Sequence, residues 1–204
     1  MFVQMFTGKV TDAAAARRLL EGWPAGPGQG ATGWLGSTAG ITDDGQLVVL
    51  ARFESQDAAL ANSERPEQGV WWESLAANFD SEASFFESSD VDADIVGDPD
   101  AAGFVQVMRG RVSDPSRARE LSGDNQDAWA AFRPEILGTL TLSHDAGEYV
   151  MAIYFTTEAD AREGERKEPP AELTAQMEAM GGMLAGEVTY LDLRDPWLAS
   201  PPDA

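Results

Sequence analysis

Residues 47–53 alternate as a strand would, with Leu47, Val49, Ala51 and Phe53 on one face and Val48, Leu50 and Arg52 on the other. Both faces are mostly apolar, the pattern of a strand buried on both sides. Residues 149–155 repeat it: Tyr149, Met151, Ile153 and Phe155 oppose Val150, Ala152 and Tyr154. Short apolar runs at 2–6 and 104–108 predict two more strands. Each is followed by an N-cap type of residue, Asp12 or Asp114, that opens a helical stretch. Residues 34–41 and 47–53 flank Thr42-Asp43-Asp44-Gly45, and 136–143 and 149–155 flank His144-Asp145-Ala146-Gly147; such turns predict hairpins. Helical segments follow, at 56–62 continuing into 70–79, and at 158–163 continuing into 171–184. Strands near 84–87 and 188–193 close each half.

The two halves are copies. Phe2-Val3-Gln4 recurs as Phe104-Val105-Gln106. The same interval, without gaps, brings Gly8, Val10 and Asp12 onto Gly110, Val112 and Asp114, and Leu35 and Gly36 onto Leu137 and Gly138. Roughly fifteen identities fall in about fifty positions, several times the chance level. The chain therefore divides into a first repeat at 1–94, a linker at 95–103 with the turn Gly97-Asp98-Pro99-Asp100, a second repeat at 104–194, and a C-terminal tail at 195–204, whose residues 200–204 are expected to fray.

Each repeat reads as a β-α-β-β-α-β unit, which lays both helices on one face of an antiparallel sheet. The opposite face is apolar as well, so the expected fold is α+β: two tandem ferredoxin-like repeats that pair their antiparallel sheets into one pseudo-dimeric α/β barrel. The first strand Phe-Val-Gln, the hairpin ending Leu50-Ala51-Arg52-Phe53-Glu54-Ser55, the helix at 57–62 and the Trp71-Trp72 helix resemble the dimeric α/β barrel superfamily. Within it they resemble the antibiotic-biosynthesis-monooxygenase-like group. The chain is also similar to actinobacterial tandem proteins of this size. Most members of the superfamily pair two single units, so the resemblance implies a fused pair, either a monomer or a homodimer. It also implies a range of activities: cofactor-free monooxygenases, haem-degrading enzymes, isomerases and proteins with none, so fold does not settle function.

Charge and chemistry narrow the range. The formal net charge is −21, which opposes binding to nucleic acid or to an anionic membrane. There is no cysteine, and the N-terminus reads as neither signal peptide nor anchor, so a cytoplasmic protein without disulfides is expected. The single histidine, His144, lies in a turn and is read as a surface residue; it makes a triad or a His-rich metal site untenable, and no metal or cofactor is expected. Haem degradation, which by resemblance needs a His near the helix Trp, is set aside. The acidic stretch 90–94 lacks the Gly and Glu of a calcium loop and reads as linker. The run 26–30 lacks the context of a phosphate loop. Met177, Met180 and Met183 read as core filling.

Five residues are candidates for a ligand site: Gln4, Trp34, Arg52, Gln106 and Tyr154. Gln4 and Gln106 are amides at equivalent mid-strand positions; they either orient a ligand or serve as structural groups, and the structural reading is favoured. Arg52 and Tyr154 occupy equivalent positions on the third strands and either line a cavity or pair at a strand end. The leading functional reading is a protein that binds a small, mostly apolar or aromatic molecule between its two sheets. The alternatives are a cofactor-independent monooxygenase or isomerase, and a ligand-free structural or interaction protein. The pattern also yields a test. Residues 1–94 alone should self-associate or precipitate, because the face bearing Val48 and Leu50 would be bare; light scattering that shows a stable folded monomer would refute the two-faced burial.

Overall fold

The computed structural model describes residues 1–144 and 146–201. Asp145 of the second hairpin turn and tail residues 202–204 lie outside the described residues. The chain divides into two compact units, one of Met1–Val91 with Asp192–Ala204, the other of Asp92–Leu191.

In the first unit, β1 (Phe2–Lys9), β2 (Trp34–Ile41), β3 (Gln46–Phe53) and β4 (Ser84–Ser88) form the core of an antiparallel sheet. Helix α1 (Ala13–Gly22) joins β1 to β2; α2 (Gln56–Ser63) and α3 (Pro66–Ala76) join β3 to β4. The sheet order is β10-β2-β3-β1-β4, the ferredoxin-like order with one strand added beside β2. The second unit repeats this. Strands β6 (Phe104–Arg111), β7 (Ile136–Ser143), β8 (Glu148–Phe155) and β9 (Thr189–Leu193) lie in the order β5-β7-β8-β6-β9. Its helices are α4 (Pro115–Ser122), α5 (Gln126–Phe132), α6 (Glu158–Gly164) and α7 (Ala171–Gly181). The expected tandem ferredoxin-like α+β fold is present.

Local rules place these elements. The Asp12 carboxylate accepts from Ala15 N at 2.9 Å, and that of Asp114 from Arg117 N at 3.0 Å. Ser55 and Thr157 cap α2 and α6 in the same way. Side-chain caps of this kind contribute about 1 kcal/mol each. The Asp160 carboxylate accepts from the hydroxyls of Thr156 and Thr157, and these bonds hold it below the usual carboxylate value. Both hairpins close on a glycine at φ 84°, Gly45 and Gly147, where a side chain would be strained. Both second strands carry a bulge at the same place, between Trp34 and Gly36 and between Ile136 and Gly138.

Three expectations need correction. The helices after each hairpin are not continuous: α2 stops at Ser63, and Pro66 starts α3 because proline fits a first turn but not a helix interior. The linker is structured. Strand β5 (Val91–Ile95) pairs beside β7, and the N–H groups of Val96 and Gly97 both donate to the Leu137 carbonyl. The tail is structured too: β10 (Trp197–Ala199) pairs with β2, Trp197 opposite Ala39 and Ala199 opposite Ser37. Each repeat is thus followed in sequence by a short strand, and the first unit's outer edge at β2 is covered by the chain's last strand, as an open edge requires.

Trp197 also packs against the cluster of Phe6, Ala39, Leu47 and Val49, under the Arg17 guanidinium 5.2 Å from its ring. We expect Trp197→Ala to cost about 2 kcal/mol, the loss of a half-buried indole. Urea denaturation measures it; a change below about 0.5 kcal/mol, the scale of an ordinary surface substitution, would mean that the tail strand is not part of the cooperative fold.

Candidate functional site

The cross-strand register sorts the five sequence candidates by face. Gln4 pairs opposite Ala51 and Trp34 opposite Phe53, so both lie on the face that carries the helices. Arg52 pairs opposite Val3 and lies on the other face with Val48 and Leu50. In the second unit Gln106, opposite Ile153, is on the helix face, and Tyr154, opposite Val105, is on the other. Gln4 and Arg52 therefore cannot line one void within their unit, nor can Gln106 and Tyr154. The period of two along a strand is the reason: residues on neighbouring strands share a face only when their register says so.

Each of the five has its own surroundings. Gln4 Nε2 donates to Glu87 Oε1 on the edge strand. Trp34 stacks edge-on against Trp23, ring centroids 5.0 Å apart, among Phe2, Phe53 and Ala59. The Arg52 guanidinium lies over Gly36, where a Cβ would come within 2.3 Å of it and where φ is 130°. Gln106 and Tyr154 are buried. The faces opposite the helices are closed: Val3, Val48 and Leu50 in one unit and Val105, Val107, Val150 and Ala152 in the other are fully buried.

The helix-side faces differ between the repeats. In the first, Phe6, Ala39, Leu47 and Val49 are all buried, under α1 and α3. Trp71 and Trp72 fill the layer: Trp72 meets Phe6 edge-on at 5.2 Å, and the Trp71 indole N–H donates to the Leu19 carbonyl at 3.0 Å. The positions equivalent to those four are Met108, Thr141, Tyr149 and Met151, and all four are only half-buried. Ile153 beside them is half-buried as well. These residues stand on or next to the central strands β6 and β8, where a covering helix normally excludes water.

The covering helix explains the gap. A short insertion around Glu168-Pro169-Pro170 precedes α7, so Trp71 and Trp72 correspond to Gln176 and Met177, and Phe79 to Leu184; the isolated bridges Val10–Phe79 and Val112–Leu184 fix the register. Gln176 keeps the tether of Trp71: its Nε2 donates to Leu121, the residue equivalent to Leu19. Its Oε1 accepts from Trp129 Nε1 at 3.0 Å and Asn125 Nδ2 at 3.1 Å. An amide is far smaller than an indole, and Met177 is 48% exposed rather than packed inward, so Met177 is not the core filling that its spacing suggests, while Met180 and Met183 are half-buried. Met108, Thr141, Tyr149, Met151 and Ile153 are left partly accessible to solvent on the helix-side face, and this accessible strip is called the cleft below.

Tyr149 gives the cleft its polarity. Its ring lies over Gly110, where a Cβ would meet the phenol oxygen at 2.8 Å. Burial pushes its pKa up, and Tyr190 nearby adds to the rise, so at neutral pH it is a neutral hydrogen-bond donor. In the first repeat the Phe79 ring occupies the same spot over Gly8. Two hollows occur in the first unit, one of about 220 Å³ between Trp72, Phe79 and Phe85, the other of about 500 Å³ beside Arg65. The first sits outside the filled indole layer, at the edge strand.

Comparison with solved structures bears on the whole chain. A putative monooxygenase from Lactobacillus acidophilus superposes with a TM-score of 0.73 at 11% identity, covering 98% of this chain and 95% of its own. A protein of the same description from Fusobacterium nucleatum gives 0.72 at 10%, covering 98% and 94%. An anthrone oxidase-like protein gives 0.68 at 13%, covering 98% and 92%. The chain shares the fold of these three proteins over nearly its whole length. No family model and no curated protein matches the chain. Identities this low carry the fold and not the chemistry.

The cleft residues were missed in the sequence because Met108, Tyr149 and Met151 read as ordinary apolar strand positions. The available signal was internal: all five cleft positions are ones where the two repeats differ in size or polarity. Accessibility can be read by oxidation. With dilute peroxide, we expect Met177 to become sulfoxide first, Met108 and Met151 next and Met5, 1% exposed, last, by peptide mass mapping. Equal rates for Met5 and Met151 would mean that the cleft is closed.

Proposed function

We propose that the second repeat binds a small, mostly apolar or aromatic molecule in the cleft between its sheet and helices. The observation that supports this most directly is the half-burial of Met108, Tyr149 and Met151, where the first repeat buries Phe6, Leu47 and Val49. The cleft suits such a ligand chemically. Methionine side chains are polarisable and adapt to flat rings. Thr141 and the protonated Tyr149 offer neutral polar contacts, which fit a quinone or ketone oxygen better than a charged group. Binding such a molecule would bury its apolar surface at roughly 25 cal/mol per Å².

A second reading follows from the structural neighbours, two described as monooxygenases and one as anthrone oxidase-like. On it, the cleft would hold an electron-rich phenol or enolisable ketone that itself reacts with dioxygen, and the protein would position the substrate and exclude water. Uptake of oxygen on adding such a compound separates this reading from binding alone.

The test is to rebuild the first repeat's filling in the second. Met177→Trp places an indole where Trp72 stands and should close the cleft with stability equal to or above the parent's. A neutral quinone that binds the parent should raise Tm by roughly 5–10 °C at a hundred times its Kd. The variant should lose that rise. Raising the pH through the elevated Tyr149 pKa should also weaken binding, since the phenolate cannot donate. If no quinone stabilises the parent, or if Met177→Trp responds as the parent does, the cleft is not the site.

A further inference from the structure

At the edge strand of the first unit three aromatic rings line one hollow. Trp72 stands on α3, Phe79 follows that helix, and Phe85 lies on β4; the hollow that they share with Glu82 measures about 220 Å³. Contacts with β1 hold the rings in place. The Phe79 ring lies over Gly8, where a Cβ would come within 2.6 Å of it. Phe85 pairs opposite Phe6, and Trp72 meets Phe6 edge-on at 5.2 Å. The turn after α3 is tied down as well: the Asp80 N–H donates to the Lys9 carbonyl at 3.0 Å, and Phe79 bridges to Val10. Walls fixed in this way lower the ordering cost of binding.

The three rings do not close on one another. Trp72 and Phe85 are 5.6 Å apart at 50°, and Trp72 and Phe79 are 6.4 Å apart at 43°, so neither pair is stacked. Ala76, one turn after Trp72 on the same face of α3, adds only a methyl group to the lining. Phe85 remains 51% exposed. The charge at the hollow has one sign. Glu82 lines it and makes no hydrogen bond or ion pair among the described residues. No described lysine or arginine lines it, and the whole chain carries −21. Aromatic faces are the negative side of a ring, so rings and carboxylate together attract a cation. The second repeat lacks the set: Trp72, Phe79 and Phe85 correspond there to Met177, Leu184 and Tyr190, which leaves Glu187 with one ring instead of three.

We propose that this hollow binds the quaternary ammonium head of a small cationic molecule, with Trp72, Phe79 and Phe85 as its walls and Glu82 as its counter-ion. A primary ammonium is a compact, strongly hydrated charge and would have to give up that water. A trimethylammonium head spreads the same charge over methyl groups, so it keeps the attraction to the rings and also buries apolar surface against them. The hollow is smaller than the roughly 300–1,000 Å³ of a drug-sized site, which suits a head group. Glu82 repels a carboxylate carried next to that head, so a cationic amino alcohol is preferred over a zwitterionic betaine.

The probe is choline, titrated calorimetrically into the full chain, where it should bind saturably at one site. Its neutral analogue, with carbon in place of the nitrogen, keeps the shape and apolar area and loses only the charge; it should bind about tenfold more weakly or not at all. Glycine betaine should be weaker than choline by a similar factor. Phe85→Leu keeps apolar bulk but removes a ring face, and should weaken choline about fivefold. Glu82→Gln removes the counter-ion and should weaken it about threefold. Both side chains are exposed, so both variants should fold as the parent does, which circular dichroism checks. Phe85→Tyr, which restores a ring, should bind choline like the parent. Absence of saturable choline binding, equal affinity for the neutral analogue or for betaine, parent-like binding in Phe85→Leu or Glu82→Gln, or loss of binding in Phe85→Tyr would each overturn the proposal.

Discussion

The space between a sheet and the helices laid across it has to be filled, and the two repeats of this chain fill the same space with different chemistry. Their backbones agree in caps, bulges, hairpin glycines and strand order. In the first repeat the layer is aromatic: Trp23, Trp34, Trp71 and Trp72 meet one another and Phe6 at centroid distances of 5.0–6.5 Å. Such ring contacts contribute about 0.5–1.5 kcal/mol beyond the area that they bury. The second repeat has methionines, threonines, an amide and an ion pair at the matching places. Rigid rings pack tightly; flexible or polar groups leave accessible floor or demand partners.

One pair of positions shows how a duplicated scaffold tolerates this. Trp71 and Gln176 share almost no bulk, yet both donate a hydrogen bond to the same helix carbonyl, Leu19 or Leu121. A second indole–amide bond is preserved with its members moved, Trp23 to Gln68 in one repeat and Trp129 to Gln176 in the other. The hydrogen bonds set how the helices sit on each other, and a polar atom left unpaired there would cost about 1–3 kcal/mol. Volume was free to change because these tethers were not. The cleft of the second repeat goes with Gln176 and Met177 standing where the first repeat has Trp71 and Trp72.

The chain's periodicities were enough to read the repeat, the ferredoxin-like order of elements, both hairpins and the burial of both sheet faces in the first unit. Those features depend on local rules. Alternation by two reports a strand's faces, an Asp-Gly turn reports a hairpin, and Asp12 and Asp114 cap helices by bonds that span three residues. Tertiary structure decided the rest. The acidic stretch at 91–95 and the tail at 197–199 became edge strands, which no local signal marks because their stability comes from the partner strand. Gln4 and Arg52 were assigned to one site from their polarity, and only cross-strand register put them on opposite faces. Tyr149, Met108 and Met151 look like core in the sequence, since their exposure depends on the size of α7 residues far along the chain. That Arg65 Nε and Nη1 and the Asn62 amide oxygen are buried without a hydrogen-bond partner was invisible for the same reason: whether a polar atom has a partner is a property of what is folded against it.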